Sequence, residues 1–362
     1  MTAWPNNRIL DLLGIEIPII QAPMAGFGIP QLAIAAAEAG GLGSLPCALL
    51  GVEQTREAFA LIRRHTARPI SVNFFCHKLP DANPTRSFAW RAKLARYYVE
   101  LKLDAEAPLP GAPVHAFDGD YCALIEEVRP EVVSFHFGLP DASLIERVLA
   151  TGAKVISSAT TIAEARWLAA NGCDAIIAQG LEAGGHRGTF TSDDISTQVG
   201  TFALVPQIVD AVKVPVIAAG GIADARGIAA AFALGASAVQ MGTAYLLCPE
   251  VNLPAVHRKA LENAQDDSTV LTNVFSGRPA RAIVNRVVRE MGPMASGIPQ
   301  FPLAGRALAP LRAKSEPLGS DDFAALWAGQ AARLARQMPA NELTRRLASE
   351  ALDMISGDRS MH

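Results

Sequence analysis

The chain has 362 residues, 50% of them hydrophobic, with 32 basic and 35 acidic side chains and a formal net charge of −3. That length and apolar content suffice for a full core and exclude a disordered chain. The charge balance offers no dense basic patch for nucleic acid or for an anionic membrane surface, and no run of about 18 uncharged apolar residues could span a bilayer. The N-terminus, MTAWPNNRILDLLG, lacks the basic start and apolar stretch of a signal peptide. Cys47, Cys76, Cys122, Cys173 and Cys248 are scattered, odd in number and free of CxxC pairs, which fits reduced thiols. A cytoplasmic protein is expected.

In chain order, residues 19–22 read as a strand that stops at Pro23-Met24-Ala25-Gly26. An Ala-rich helix over 30–39 ends at Gly40-Gly41, and residues 41–46 give a second strand. A charged helix over 53–65 leads to a third strand, 69–75, which carries Asn73. From Cys76 to about Ala116 the rhythm breaks: Pro80, Pro84, Pro108, Pro110 and Pro113 surround one polar helix near 88–102. An excursion of that length suggests a lid or an oligomer contact. Alternation then resumes with helix 118–128, strand 132–138 bearing His136, helix 141–150, strand 154–160 and helix 161–171.

The sixth strand, Ala175–Ala178, opens through Gln179 into a loop with Gly180, Gly184, Gly185 and Gly188 around His186 and Arg187. Such a loop can bring bare amides against a ligand. A helix over 200–212 follows, then strand 215–222 ending in Gly220-Gly221, helix 224–234, and strand 238–243. Eight strand-plus-helix units in series predict an α/β fold, a (β/α)8 TIM barrel spanning residues 1–247. Beyond it, 248–318 reads as a smaller α+β domain over the barrel mouth, with β-like pieces TVLTNVFSG and ARAIVNRVV. Amphipathic helices over 321–337 and 341–355 place 319–362 back on the barrel.

Active sites of such barrels lie at the C-terminal strand ends. Backbone amides of Gly220, Gly221 and of Gln240, Met241, Gly242 and Thr243 suit a phosphate, and Ala22, Pro23 and Met24 stand at the end of the first strand. Asn73 and Gln179 can both donate and accept, as the polar edge of a planar heterocycle requires. His136 and His186 stand two strands apart, facing each other across the mouth, without the ligand spacing of a metal site. A general base is the better reading. His65, His77, His115, His257 and His362 read as surface residues, as do Lys314 and Arg281.

The segments QAPMAG at 21–26, SVNFF at 71–75, SFHFG at 134–138, QGLEAGGHRG at 179–188, IAAGGI at 217–222 and QMGT at 240–243 resemble those of the nitronate monooxygenase family, class I. FSGRPAR at 275–281 and LWAGQ at 326–330 extend the likeness beyond the barrel. The resemblance implies an FMN-binding barrel that oxidises alkyl nitronates with O₂ to a carbonyl compound and nitrite, without metal or nicotinamide. It implies FMN contacts at Asn73, Gln179, the Gly184-Gly185 pair, Gly221 and Gln240–Thr243. His186 would be the base and His136 a second active-site histidine: a hydrogen-bonding imidazole steadies an anionic nitronate, and a neutral one can take the α-proton of a nitroalkane. Related FMN barrels with the same glycine loop reduce quinones or enoyl thioesters with NAD(P)H, which is the alternative reading. A non-catalytic flavin or metabolite-binding protein and a sugar-phosphate isomerase are further ones. Members that handle 3-nitropropionate carry tyrosines and a lysine in the stretch matching 299–310; here Phe301 is its one aromatic and Arg306 its one charge, which implies apolar substrates. Partners would be a small nitronate and O₂, with a homodimer as the expected assembly.

Overall fold

The computed structural model describes residues 4–81, 83–111, 114–192 and 194–357; Pro113 and His362, named above, lie outside them. Strands β1 (Ile19–Gln21), β2 (Gly43–Pro46), β3 (Ile70–Phe75), β4 (Val132–His136), β5 (Lys154–Ala159), β6 (Ala175–Gln179), β8 (Val216–Ala219) and β9 (Ala238–Met241) form one parallel sheet. Its order is β1-β9-β8-β6-β5-β4-β3-β2, and a parallel bridge between Ile20 and Leu42 joins the two ends, so the sheet closes as the (β/α)8 barrel expected. The short strands are almost wholly buried because both faces are covered, the inner by other strands and the outer by helices.

Helix α1 (Arg8–Leu13), too short to show a helical pattern in the sequence, puts Ile9 and Leu13 into a core with Ile20, Val132, Ile156 and Ile217. These lie among the early and inner barrel positions, so one mouth is plugged and chemistry is left to the other. Apart from the helix of the excursion, the helices between strands fall within two residues of expectation, from α2 (Pro30–Glu38) to α9 (Ala225–Ala233). The helix of the excursion, α4 (Pro84–Glu100), starts four residues earlier than expected, at a proline in its first turn behind Asn83, whose side chain accepts from the Arg86 amide.

Trp90, Leu94, Tyr97 and Tyr98 of α4 build a second core with Val274, Val287, Leu308, Leu311 and Phe323. The excursion therefore packs with the segment that follows the barrel. Helix α12 (Gly305–Ser315) is tied to it: Trp90 Nε1 donates to the Ala304 carbonyl at 3.1 Å, and Tyr98 Oη to the Ala307 carbonyl at 2.6 Å. The sequence reading missed α12 because Pro310 stands inside it. It also placed a helix over 321–337 that does not form. There the backbone bonds outward instead: the Leu326 carbonyl accepts from Ile283, and the Ala328 and Gln330 amides donate to Arg281 and Glu182 carbonyls. Tertiary pairing overrides helix propensity in that stretch, leaving one 3₁₀ turn at Ala332–Leu334.

Candidate active site

A small antiparallel sheet covers the open mouth. Its strands are β7 (Gly185–His186), β10 (Thr269–Thr272) and β11 (Ala280–Ile283), in the order β10-β11-β7, with Ala280 opposite His186 and Arg281 opposite Gly185. The glycine loop after β6 is thus an edge strand of the added layer. Gly184 is where the two layers meet: a Cβ there would stand 2.5 Å from the Gly329 nitrogen.

Beneath this sheet lies a cavity of about 610 Å³, a usual size for a cofactor with substrate. Ala22, Pro23, Met24, Asn73, Gln179, Gly184, Gly185, Gly220, Gly221, Gln240, Gly242 and Thr243 all line it, as do His136 and His186. Met241 does not. Strand alternation turns its side chain into the barrel core, and its carbonyl accepts from the Ala22 amide at 2.9 Å.

The two histidines are arranged differently from the expected face-to-face pair. His136 has both nitrogens engaged: Nε2 lies 3.2 Å from the His186 carbonyl and Nδ1 3.1 Å from Ser158 Oγ. A carbonyl only accepts, so Nε2 carries the proton and Nδ1 receives the serine hydroxyl. The Gln179 amide donates to the same His186 carbonyl at 3.0 Å, and its oxygen accepts from Gly188 at 2.8 Å. His136 and Gln179 therefore hold the backbone of the loop, and the Gln179 amide is committed there. Arg187, fully buried, staples the loop from below through the Gly180 and Gln179 carbonyls at 2.6 and 2.7 Å. Burial draws its guanidinium down to about 10, still charged at neutral pH.

His186 is left to face the cavity. Its Nε2 lies 2.9 Å from Ser276 Oγ, and its Nδ1 has no hydrogen-bond partner among the described residues. Ser276, inside the FSGRPAR segment but given no role by the sequence reading, also receives the Arg278 amide at 3.3 Å. Its Oγ also lies 3.2 Å from the Arg278 carbonyl, so the single hydroxyl proton has two acceptors, that carbonyl and His186 Nε2, and the tautomer of His186 follows from which of them takes it. The rings of Phe75, Phe137, Phe301 and Trp327 surround the imidazole at centroid distances of 6.3, 6.0, 5.2 and 5.2 Å. Phe137 reaches its place through a left-handed backbone, φ +70°, rare for an aromatic residue and common near functional sites. Burial lowers both His136 and His186 to about 3, with help from the nearby Arg278 charge, so both rings are neutral at working pH.

At the ends of β8 and β9, no acceptor among the described residues meets the backbone N–H of Gly221, Gly242 or Thr243. Gly221 holds φ +71°, which bends its amide off the sheet direction. The Gln240 side chain likewise has no partner there and lines the cavity. Asn73 is fixed by donating to Ser134 Oγ at 2.8 Å, which leaves its carbonyl oxygen toward the cavity. Unpaired donors at this end and planar amides beside an apolar slot fit a phosphorylated heterocycle such as FMN.

His77 and His257, expected on the surface, are buried at 7% and 1% exposure, as is Arg281. His257 donates from Nε2 to the Trp327 carbonyl at 3.1 Å and meets Phe27 edge-on, so it backs two walls of the cavity. Arg281 donates to the Leu181 carbonyl. His65, His115 and Lys314 are exposed. Among the described residues no group of three or more His, Cys, Asp or Glu side chains could hold a metal ion, and no helix is long and apolar enough to cross a membrane.

A family model described as nitronate monooxygenase matches residues 6–350. The nitronate monooxygenase of Pseudomonas aeruginosa is 43% identical over 349 residues, covering 95% of this chain and 99% of that one. That of Paraburkholderia phytofirmans is 41% identical over 360 residues, with 98% of each covered. Among solved structures, a nitroalkane oxidase from Streptomyces ansochromogenes superposes with a TM-score of 0.87 at 38% identity, covering 97% of this chain and 99% of that one. FabK from Thermotoga maritima does so with 0.72 at 30%, covering 97% and 98%. With the barrel, the covering sheet and the histidine loop in place over almost its whole length, this chain belongs to the nitronate monooxygenase family.

Proposed function

We propose that the protein is an FMN-dependent nitronate monooxygenase that converts alkyl nitronates and O₂ to carbonyl compounds and nitrite. The observation that carries this reading is His186, neutral, with Nδ1 open to a cavity whose barrel end offers unpaired backbone donors. FMN, held by Gly221, Gln240, Gly242 and Thr243 at its phosphate end and by Asn73 near its ring, would supply the electron acceptor and the reaction with oxygen.

The chain's own residues do the rest. His186 presents Nδ1 to the cavity, and in the tautomer that carries its proton there it donates a hydrogen bond to a nitronate oxygen and orients the reacting carbon. His136 and Gln179 fix the His186 carbonyl and so the height of that ring. The aromatic enclosure keeps water away from the substrate and keeps the imidazole neutral. A base held near pKa 3 is poorly matched to a weak carbon acid, so the site favours a nitronate formed in solution over proton removal from a neutral nitroalkane.

The test is anaerobic mixing of the flavin-loaded protein with propyl-2-nitronate, with 2-nitropropane and with NADH separately. A flavin absorbance change with the nitronate alone, then nitrite on admitting air, is expected. A second reading, an NAD(P)H-dependent reductase, is favoured by the likeness to FabK. Bleaching by NADH with no response to nitronate would replace the first reading by the second.

A further inference from the structure

One wall of the cavity is a single face of α12. Pro302 precedes it, and Gly305, Arg306, Ala309 and Arg312 recur along it at helical spacing, all lining the cavity. Among the described residues no Asp, Glu or Lys lines that cavity; Arg306 and Arg312 are its charged groups. Arg306 donates to the Pro110 carbonyl at 2.6 Å and the Leu109 carbonyl at 3.4 Å, which positions its guanidinium without neutralising it. Arg312 is exposed, and among the described residues its guanidinium has neither a hydrogen-bond nor an ion-pair partner. Uncompensated cations at the edge of an apolar cleft raise the local concentration of anions.

The geometry also sets a length. Phe301, just before the helix, lies 5.2 Å from the His186 ring. From Gly305 to Arg312 is seven residues, about 10 Å along the axis, and a helical arginine leans back toward the N-terminus. Between the two ends, Gly305 and Ala309 carry almost no side chain, and Leu49 and Val114 add apolar wall. The space is that of an alkyl chain with an anion at its far end.

We propose that this face of α12 selects nitronates bearing a terminal carboxylate on a chain of roughly five to eight carbons, with Arg312 as the principal cation and Arg306 as its support. The expectation of a purely apolar substrate, drawn from residues 299–310, stopped short of Arg312. The proposal rests on the nitronate-oxidising reading above and adds the substrate class.

The flavin-loaded enzyme is assayed for oxygen uptake with the nitronates of 1-nitrohexane, 6-nitrohexanoate and 3-nitropropionate. Wild type should prefer the six-carbon carboxylate over both others by about fivefold or more in kcat/KM. In Arg312→Gln the ratio of carboxylate to plain alkyl substrate should fall toward one, in Arg312→Lys it should partly return, and added salt should erode it in wild type. Equal wild-type values for the nitronates of 1-nitrohexane and 6-nitrohexanoate overturn the proposal, and so does a better three-carbon carboxylate. Loss of flavin from Arg312→Gln also overturns it, since the cation would then serve the cofactor. Should Arg312→Gln fail to fold, Arg306→Gln and the salt series carry the same comparison. Should no nitronate react at all, the enzymatic reading falls, and titration with hexanoate against hexanol, read by flavin absorbance, still decides the anion site: equal affinities overturn it.

Discussion

The site has two halves built by different physics. The barrel half, the ends of β3, β8 and β9, consists of backbone amides and short side chains on strands whose positions follow from the alternation of elements. The covering half, β7 with Ser276, Phe301, Trp327 and α12, consists of side chains gathered from stretches as far as about 140 residues from His186 in sequence. Barrel strands present a ligand cradle wherever the fold closes. The cover determines which substrate meets it and in which protonation state.

The sharpest way to separate the halves is to remove His186. His186→Ala should lower kcat/KM for propyl-2-nitronate by about a hundredfold or more while flavin stays bound, measured by oxygen uptake and by the absorbance of the isolated protein. Loss of flavin together with activity would join the halves into one. The barrel half responds in the opposite sense. Gly221→Val forces a branched side chain into φ +71° and toward Glu182, whose Cβ already lies 3.3 Å from where a Cβ would stand. FMN affinity, read by fluorescence titration, should weaken about tenfold, with kcat of the saturated enzyme much less affected.

A smaller effect belongs to the clamp between the halves. His136→Phe leaves the His186 carbonyl to Gln179 alone and should cost about tenfold in kcat with flavin content near wild type. His136→Gln, able to donate to the same carbonyl, should recover part of it. A pH profile sharpens the point: with His186 near 3, kcat/KM for a preformed nitronate should show no histidine titration between about pH 5 and 8. An inflection near 6.5 would mean that the ring is solvated and the enclosure open.

The smallest effect is on stability. Burial holds His77 and His257 near 4 and His136 and His186 near 3, below the usual 6.5. The unfolded chain therefore binds more protons than the native one between those values. Stability is fully present above about pH 6.5 and is lost as pH falls toward the folded values. Tm should drop by a few degrees from pH 7 to pH 5 in calorimetry, and His77→Phe should lessen the drop.

Much of this was legible from residue order. Eight short apolar runs alternating with helices, some of them closed by glycine as at Gly40, Gly152, Gly172 and Gly235, admit few closures other than a parallel barrel, because parallel strands need covered faces and right-handed crossovers. The strand-end residues Asn73, Gly221 and Gln240 followed from that closure alone. What tertiary structure decided is everything that depends on contacts distant in sequence: the helix over 321–337 giving way to outward backbone pairing, Met241 facing the core, Gln179 and His136 serving the loop. His77 and His257 look alike in sequence to His65, and only packing buries them. Local pattern specifies which element forms and which face it hides. Which nitrogen of His186 is left to the cavity, and which arginine of α12 reaches it, depend on what the fold brings within hydrogen-bond distance or leaves without a partner.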